Sequence, residues 1–123
     1  MGQLLKGQRI LVVEDNFVMA LDLSQMVEEL GGVVVGPAGR LEEGEALARS
    51  NKIDGAILDV NLDGTNTFNL ADGLLAGDVP VIFATGYDIT TLPGRFAHTA
   101  KLSKPFSIRS IEKAVRDTFL NRP

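Results

Sequence analysis

The sequence predicts an α/β fold in which a doubly wound, five-stranded parallel sheet is flanked by helices. Short apolar runs bounded by turn residues alternate with stretches of helical spacing along the 123 residues. Three of these runs, residues 10–13, 56–58 and 81–84, end directly at polar residues. Each pair of parallel strands needs a crossover connection, so this alternation favours a parallel sheet covered by helices on both faces.

The five predicted strands are the apolar runs themselves. Gly36-Pro37 ends the second, and Pro80 opens the fourth, since proline is confined to strand ends, edges and bulges. The third is an apolar run typical of a buried strand, and it carries Asp59 at its end. In chain order the strands cover residues 9–13, 33–35, 53–59, 81–84 and 101–103.

Four helices are predicted between and after these strands. They cover approximately residues 17–30, 41–50, 68–75 and 108–119. Residues able to accept a hydrogen bond from the first turn precede three of them: Asp15 or Asn16, Asn66 or Thr67, and Ser107. Residues 88–98 contain threonines, proline and glycine, so a helix there is expected to be short or irregular.

Composition excludes several classes of protein. With 45% hydrophobic and 23% charged residues and no cysteine, the chain resembles an ordinary globular domain without thiol or disulfide chemistry. No apolar run approaches the roughly 18 residues of a membrane span, and no signal peptide is evident, so we expect a cytoplasmic domain over residues 1–123 without membrane association. A net charge of −4 argues against nucleic-acid binding.

Polar residues suited to chemistry follow four of the predicted strands. Glu14 and Asp15 follow the first, and Asp59 ends the third. Thr85 and Lys104 follow the fourth and fifth. Parallel strands bring their carboxyl ends to one edge of the sheet, where ligands bind. A carboxylate at the end of a buried strand is costly without a partner or a purpose, so this edge is the predicted active site.

These residues, in this order, resemble the phosphoacceptor pattern of response-regulator receiver domains, which have a flavodoxin-like, CheY-like fold. Residues 83–87 and 104–106 further resemble the FAT GUY subgroup of single-domain response regulators. The resemblance covers essentially the whole chain. It implies a stand-alone receiver without an output domain, which accepts a phosphoryl group from a histidine kinase or histidine phosphotransfer protein and signals to a downstream protein.

The resemblance implies that Asp59 is the phosphoacceptor, with Lys104 and Thr85 as its catalytic partners. A phosphoryl group in transfer spreads negative charge over three oxygens, so the site needs a fixed cation and a hydrogen-bond donor. The ammonium of Lys104 and the hydroxyl of Thr85 meet these needs.

A magnesium ion is the expected cofactor. Glu14, Asp15 and Asp59 offer the hard oxygen ligands that Mg²⁺ prefers, and the family pattern adds the backbone carbonyl of Asn61. Carboxylates crowded in a partly desolvated cleft raise one another's pKa values.

The residues implied in signalling are Thr85, Tyr87, Lys101 and Pro105. Receivers commonly carry an aromatic residue three positions before the lysine, and here that position is Lys101. The subgroup resemblance implies that Tyr87 takes over its role. The bond from Lys104 to Pro105 resembles one that is cis in this family.

Two other functions fit parts of the pattern. A pseudo-receiver would bind proteins without regulation by phosphorylation, although the complete set of acids, hydroxyl and lysine favours a working site. A phosphatase of the haloacid-dehalogenase type needs a second acid two residues after its nucleophile, and that position is Asn61. We therefore do not expect an enzyme that acts on external substrates. We expect a receiver that catalyses only its own phosphorylation and dephosphorylation.

Overall fold

The five predicted strands and the four predicted helices are all found, in the predicted order along the chain. The computed structural model describes residues 3–86 and 92–119. Its strands are β1 (Arg9–Val13), β2 (Val33–Ala38), β3 (Gly55–Asp59), β4 (Asn61–Leu62), β5 (Thr65–Asn66), β6 (Val81–Thr85) and β7 (Ala100–Ser103). Its helices are α1 (Phe17–Glu29), α2 (Leu41–Ser50), α3 (Phe68–Ala76) and α4 (Ile108–Thr118), and a 3₁₀ turn lies at Gly94–Phe96.

Five of the strands form a parallel sheet in the order β2-β1-β3-β6-β7. This confirms the predicted doubly wound fold. β3 lies at the centre, and its Asp59 stands opposite Ala84 of β6. The carboxyl ends of β1, β3, β6 and β7 therefore meet at one edge.

Two apolar layers cover the faces of the sheet. Along β1, Ile10 and Val12 point into the layer that contains α1 and α4, whereas Leu11 and Val13 point into the layer with α3. This alternation follows from the two-residue period of a strand. Because both faces are covered, the four side chains are fully buried, and the edge is left for polar groups.

The second strand is longer than predicted. Instead of ending at Gly36-Pro37, β2 continues to Ala38, and its pairing with β1 shifts between Leu11 and Val13. Gly36 takes a φ of 102°, which is readily available to glycine. β2 is an edge strand, where a bulge can absorb a proline that would break a central strand.

A small hairpin follows the central strand and was not predicted. β4 pairs antiparallel with β5, with Asp63 and Gly64 as the two-residue turn. Their φ angles of 51° and 92° are the left-handed values that this turn requires. The Asp-Gly pair is a strong hairpin signal, so the sequence contained the information.

The predicted helix starts are found, with one difference. Asn16 Oδ1 accepts a hydrogen bond from the Met19 N–H, and Ser107 caps α4 through Ser110. Of the two residues predicted to start α3, Asn66 accepts a hydrogen bond from the Phe68 N–H at 3.1 Å, whereas the hydroxyl of Thr67, at the N-cap position, makes no capping bond. Within the described residues, no helix is both long and apolar enough to cross a membrane.

Candidate functional site

The predicted active-site edge opens into a cleft of about 720 Å³. A larger groove of about 880 Å³ runs between β7 and α4, but the acidic cluster does not line it. The structure brings the predicted catalytic and metal-binding residues together around the smaller cleft. They are Glu14, Asp15, Asp59, Asn61, Thr85 and Lys104.

Three carboxylates form the acidic side of the cleft. One oxygen from each of Glu14, Asp15 and Asp59 lies within 4.8 Å of the others. Glu14 and Asp59 are buried, while Asp15 is exposed. Three carboxylates at this spacing are a donor set that fits a hard divalent cation such as Mg²⁺.

Lys104 supplies the positive charge in the cleft. Its Nζ donates a hydrogen bond to Asp59 Oδ2 at 3.1 Å and forms an ion pair with Glu14 Oε1 at 3.0 Å. Burial acts to lower the pKa of Lys104, but the hydrogen bonds and charges of Glu14 and Asp59 outweigh it, so the pKa is raised. The ammonium therefore remains charged at neutral pH.

Glu14 is the most buried of the three acids. Burial raises its pKa, and the charge of Asp59 raises it further. The Asn16 N–H, which donates to Glu14 Oε2 at 3.0 Å, and the ammonium of Lys104 offset part of this effect. The site thus holds a buried carboxylate whose ionised form is only partly compensated.

Two polar groups complete the cleft. The Thr85 hydroxyl is buried and has no hydrogen-bond partner within residues 3–86 and 92–119. The Asn61 N–H donates to Asp59 Oδ1 at 3.3 Å, and the Asn61 side chain accepts from the Gly64 N–H at 2.8 Å. Thr85 therefore has a free hydroxyl beside the acids, while the side chain of Asn61 is held by the hairpin turn.

Comparison with known proteins places this arrangement in a family. A family model described as the response regulator receiver domain matches residues 10–116. The chain belongs to the response regulator receiver family. This agrees with the resemblance carried by the strand-end residues.

The receiver has relatives among curated proteins and solved structures. It is 36% identical over 110 residues to the phyllosphere-induced regulator PhyR of Methylorubrum extorquens, and 30% identical over 112 residues to the transcriptional regulatory protein PdtaR of Mycobacterium tuberculosis. These matches cover 86% and 88% of the receiver, which spans 41% of PhyR and 55% of PdtaR.

The solution structure of SdrG from Sphingomonas melonis Fr1 superposes with a TM-score of 0.81 at 35% identity, covering 91% of the receiver and 94% of SdrG. A BeF3-activated conformation of SdrG gives a TM-score of 0.75 at 36% identity, covering 87% and 92%.

Of the residues predicted for signalling, Thr85 ends β6, Lys101 lies within β7, and Pro105 follows that strand. Lys101 does not point into the cleft: its Nζ donates to the backbone carbonyls of Phe96, Ala97 and Thr99. Pro105 is exposed at the rim of the cleft, and its bond from Lys104 is cis. Tyr87 lies outside the described residues of the receiver.

One residue at the site was missed by sequence reasoning. Thr67, predicted only as a possible helix cap, is fully buried and donates its hydroxyl to the backbone carbonyl of Asp59 at 2.7 Å. No sequence signal separates a capping threonine from one that bonds a neighbouring strand, because the choice depends on where the strand ends.

Proposed function

We propose that this receiver accepts a phosphoryl group on Asp59 from the phosphohistidine of a histidine kinase or histidine phosphotransfer protein, in a reaction that needs Mg²⁺. The observation that carries the proposal is the ammonium of Lys104, which pairs with both Asp59 and Glu14 inside an open acidic cleft. A fixed cation beside a carboxylate that lines an open cleft is suited to phosphoryl transfer.

The reaction makes one bond and breaks another. A carboxylate oxygen of Asp59 attacks phosphorus in line with the leaving group, the phosphorus–nitrogen bond breaks, and its electron pair stays on the imidazole nitrogen. The product is an acyl phosphate on Asp59. Attack by water on phosphorus later releases inorganic phosphate and restores the carboxylate.

Other residues of the cleft have complementary roles in this proposal. Lys104 balances the charge of the phosphoryl oxygens, and the hydroxyl of Thr85, which lacks a partner among the described residues, donates to one of them. Glu14, Asp15, Asp59 and the Asn61 carbonyl would hold Mg²⁺, which neutralises charge on the transferred group when bound.

The phosphorylated receiver would pass its signal to a protein partner. Both curated relatives carry the names of regulators, and SdrG has a BeF3-activated conformation, which supports a receiver that responds to occupation of its acceptor site. The alternative is a pseudo-receiver that binds proteins without phosphorylation.

Phosphorylation of Asp59 is tested with acetyl phosphate and Mg²⁺, followed by intact-protein mass spectrometry. The unmodified protein should gain one phosphoryl group, and Asp59→Asn should gain none. Asp63→Asn is the matched control, since Asp63 is an exposed acid in the adjacent turn. Undiminished labelling of Asp59→Asn would contradict the assignment. If the unmodified protein were neither labelled nor able to bind BeF3, the pseudo-receiver would be favoured.

The metal site is tested by thermal melts with and without Mg²⁺. A ligand that binds only the folded state raises the melting temperature. Asp15→Asn should keep the fold, because Asp15 is exposed, and should shrink the rise that Mg²⁺ produces. An unchanged rise would remove Asp15 from the metal site.

A further inference from the structure

Thr67 makes two hydrogen bonds to the backbone directly after the acceptor. Its hydroxyl donates to the Asp59 carbonyl at 2.7 Å, and its N–H donates to the Val60 carbonyl at 3.2 Å. The side chain is fully buried. Thr67 therefore holds two consecutive carbonyls of the segment that links Asp59 to Asn61.

The Asp59 carbonyl needs this donor because β1, the neighbouring strand on that side, ends before it reaches this carbonyl. The ladder between β1 and β3 stops at the pair Val13 and Leu58, one residue earlier. On the other side of β3, the Val60 N–H donates to the Ala84 carbonyl at 3.1 Å. A buried carbonyl without a partner is costly, so the hydroxyl of Thr67 takes the place of the missing strand.

The hairpin formed by β4 and β5 sets the direction of the Asn61 carbonyl. Bonded and non-bonded pairs alternate along antiparallel strands, and the turn at Asp63 and Gly64 makes Leu62 and Thr65 the bonded pair. Asn61 and Asn66 are then the non-bonded pair, so the backbone groups of Asn61 face away from β5. Its N–H accordingly reaches the carboxylate of Asp59, and its carbonyl faces the same side.

We propose that Thr67 is a positioning residue for the metal and phosphoryl site. By fixing the carbonyls of Asp59 and Val60, it sets the spacing between the Asp59 carboxylate and the Asn61 carbonyl. The inference rests on the proposed function, because it requires both groups to act on the same bound cation. Groups that orient metal ligands in this way typically change metal affinity by about 10- to 100-fold when removed.

The test compares three variants in Mg²⁺ titrations followed by the backbone amide signals of the folded protein. Thr67→Val keeps the shape but removes the hydroxyl, and its Mg²⁺ dissociation constant should rise about tenfold. Thr67→Ser keeps the hydroxyl and should stay within about twofold of the unmodified protein by the same reasoning. Asn66→Ala removes the side-chain oxygen that accepts from the Phe68 N–H at the start of α3.

Asn66→Ala separates positioning from stability. It should lower the free energy of unfolding, because a helix-start hydrogen bond is lost, without changing Mg²⁺ affinity. The inference is overturned if Thr67→Val binds Mg²⁺ as well as the unmodified protein, or if Asn66→Ala weakens binding equally. Failure of the unmodified protein to bind Mg²⁺ would instead overturn the proposed function on which the inference rests.

A second measurement uses the unmodified protein, in case Thr67→Val does not fold. The hydroxyl proton of Thr67 should exchange slowly with water, both before and after Mg²⁺ is added. A rapidly exchanging hydroxyl would show that the bond to Asp59 does not persist and would overturn the inference.

Discussion

Lys104 Nζ lies 3.0 Å from Glu14 Oε1 in the buried part of the cleft. The same ammonium also donates to Asp59 at 3.1 Å. A single cation therefore faces two buried carboxylates, with Asp15 close by. This leaves negative charge that a divalent cation would balance. Burial, together with the charge of Asp59, raises the pKa of Glu14 although Lys104 is in contact with it.

The raised pKa of Glu14 predicts a pH dependence of stability. The folded protein binds this proton more tightly than the unfolded chain does, so the free energy of unfolding should fall as pH rises from the ordinary value of 4.5 through the folded pKa. Glu14→Gln should make this decrease in the free energy of unfolding smaller. Without metal, the variant should therefore exceed the stability of the unmodified protein by the largest amount at neutral pH.

Urea unfolding with a chelator, from acid to neutral pH, measures the effect. Asp22→Asn, at an exposed position in the middle of α1, is the control and should leave the pH profile unchanged. A Glu14→Gln profile parallel to that of the unmodified protein would contradict the prediction.

Thr85→Ala should leave the metal-free protein as stable as before or stabilise it by up to about 1 kcal/mol, because the buried hydroxyl that is removed has no partner in the described parts of the chain. It should nevertheless reduce the change in amide hydrogen exchange that BeF3 and Mg²⁺ cause in residues 92–97. Thr85→Ser is the control that keeps the hydroxyl and should retain the response. Exchange changes confined to β2 would show that the signal takes another route.

Lys101→Met should destabilise the protein by about 1–3 kcal/mol, since the ammonium donates to the Phe96, Ala97 and Thr99 carbonyls. Exchange of the Phe96 and Ala97 amides should become faster. Lys113→Met is the matched control, because the exposed Lys113–Asp117 pair is worth only about 0.3–0.5 kcal/mol. Equal destabilisation by the two substitutions would show that Lys101 does not hold the segment before β7.

Gly64→Ala and Gly73→Ala should change stability in opposite directions. A methyl group at either position meets no atom within 4 Å, so the backbone conformation alone decides the change in stability. Gly64 has a φ of 92°, and alanine there should cost about 1 kcal/mol. Gly73 lies inside α3, where alanine should gain about 0.5–1 kcal/mol. Chemical denaturation of both variants tests the pair, and a stabilising Gly64→Ala would contradict the hairpin geometry.

The sequence by itself determined the fold class and predicted the residues that line the candidate cleft. The apolar runs gave five parallel strands, and the bounds of β1 and α2 are those predicted. Asn16 and Ser107 cap their helices as expected because capping is a contact between near neighbours in the chain. The strand-end residues converge because parallel strands end at one edge, a consequence of topology that needs no coordinates.

Only the tertiary structure decided which partners these residues find. It extended β2 past Gly36-Pro37, because an edge strand tolerates a bulge. It buried Glu14 while leaving Asp15 exposed, and it turned Lys101 onto backbone carbonyls. It also sent the hydroxyl of Thr67 to Asp59 instead of to its helix, since β1 stops one residue short of that carbonyl. Most of these outcomes depend on contacts between residues distant in the chain, and local sequence patterns do not encode such contacts.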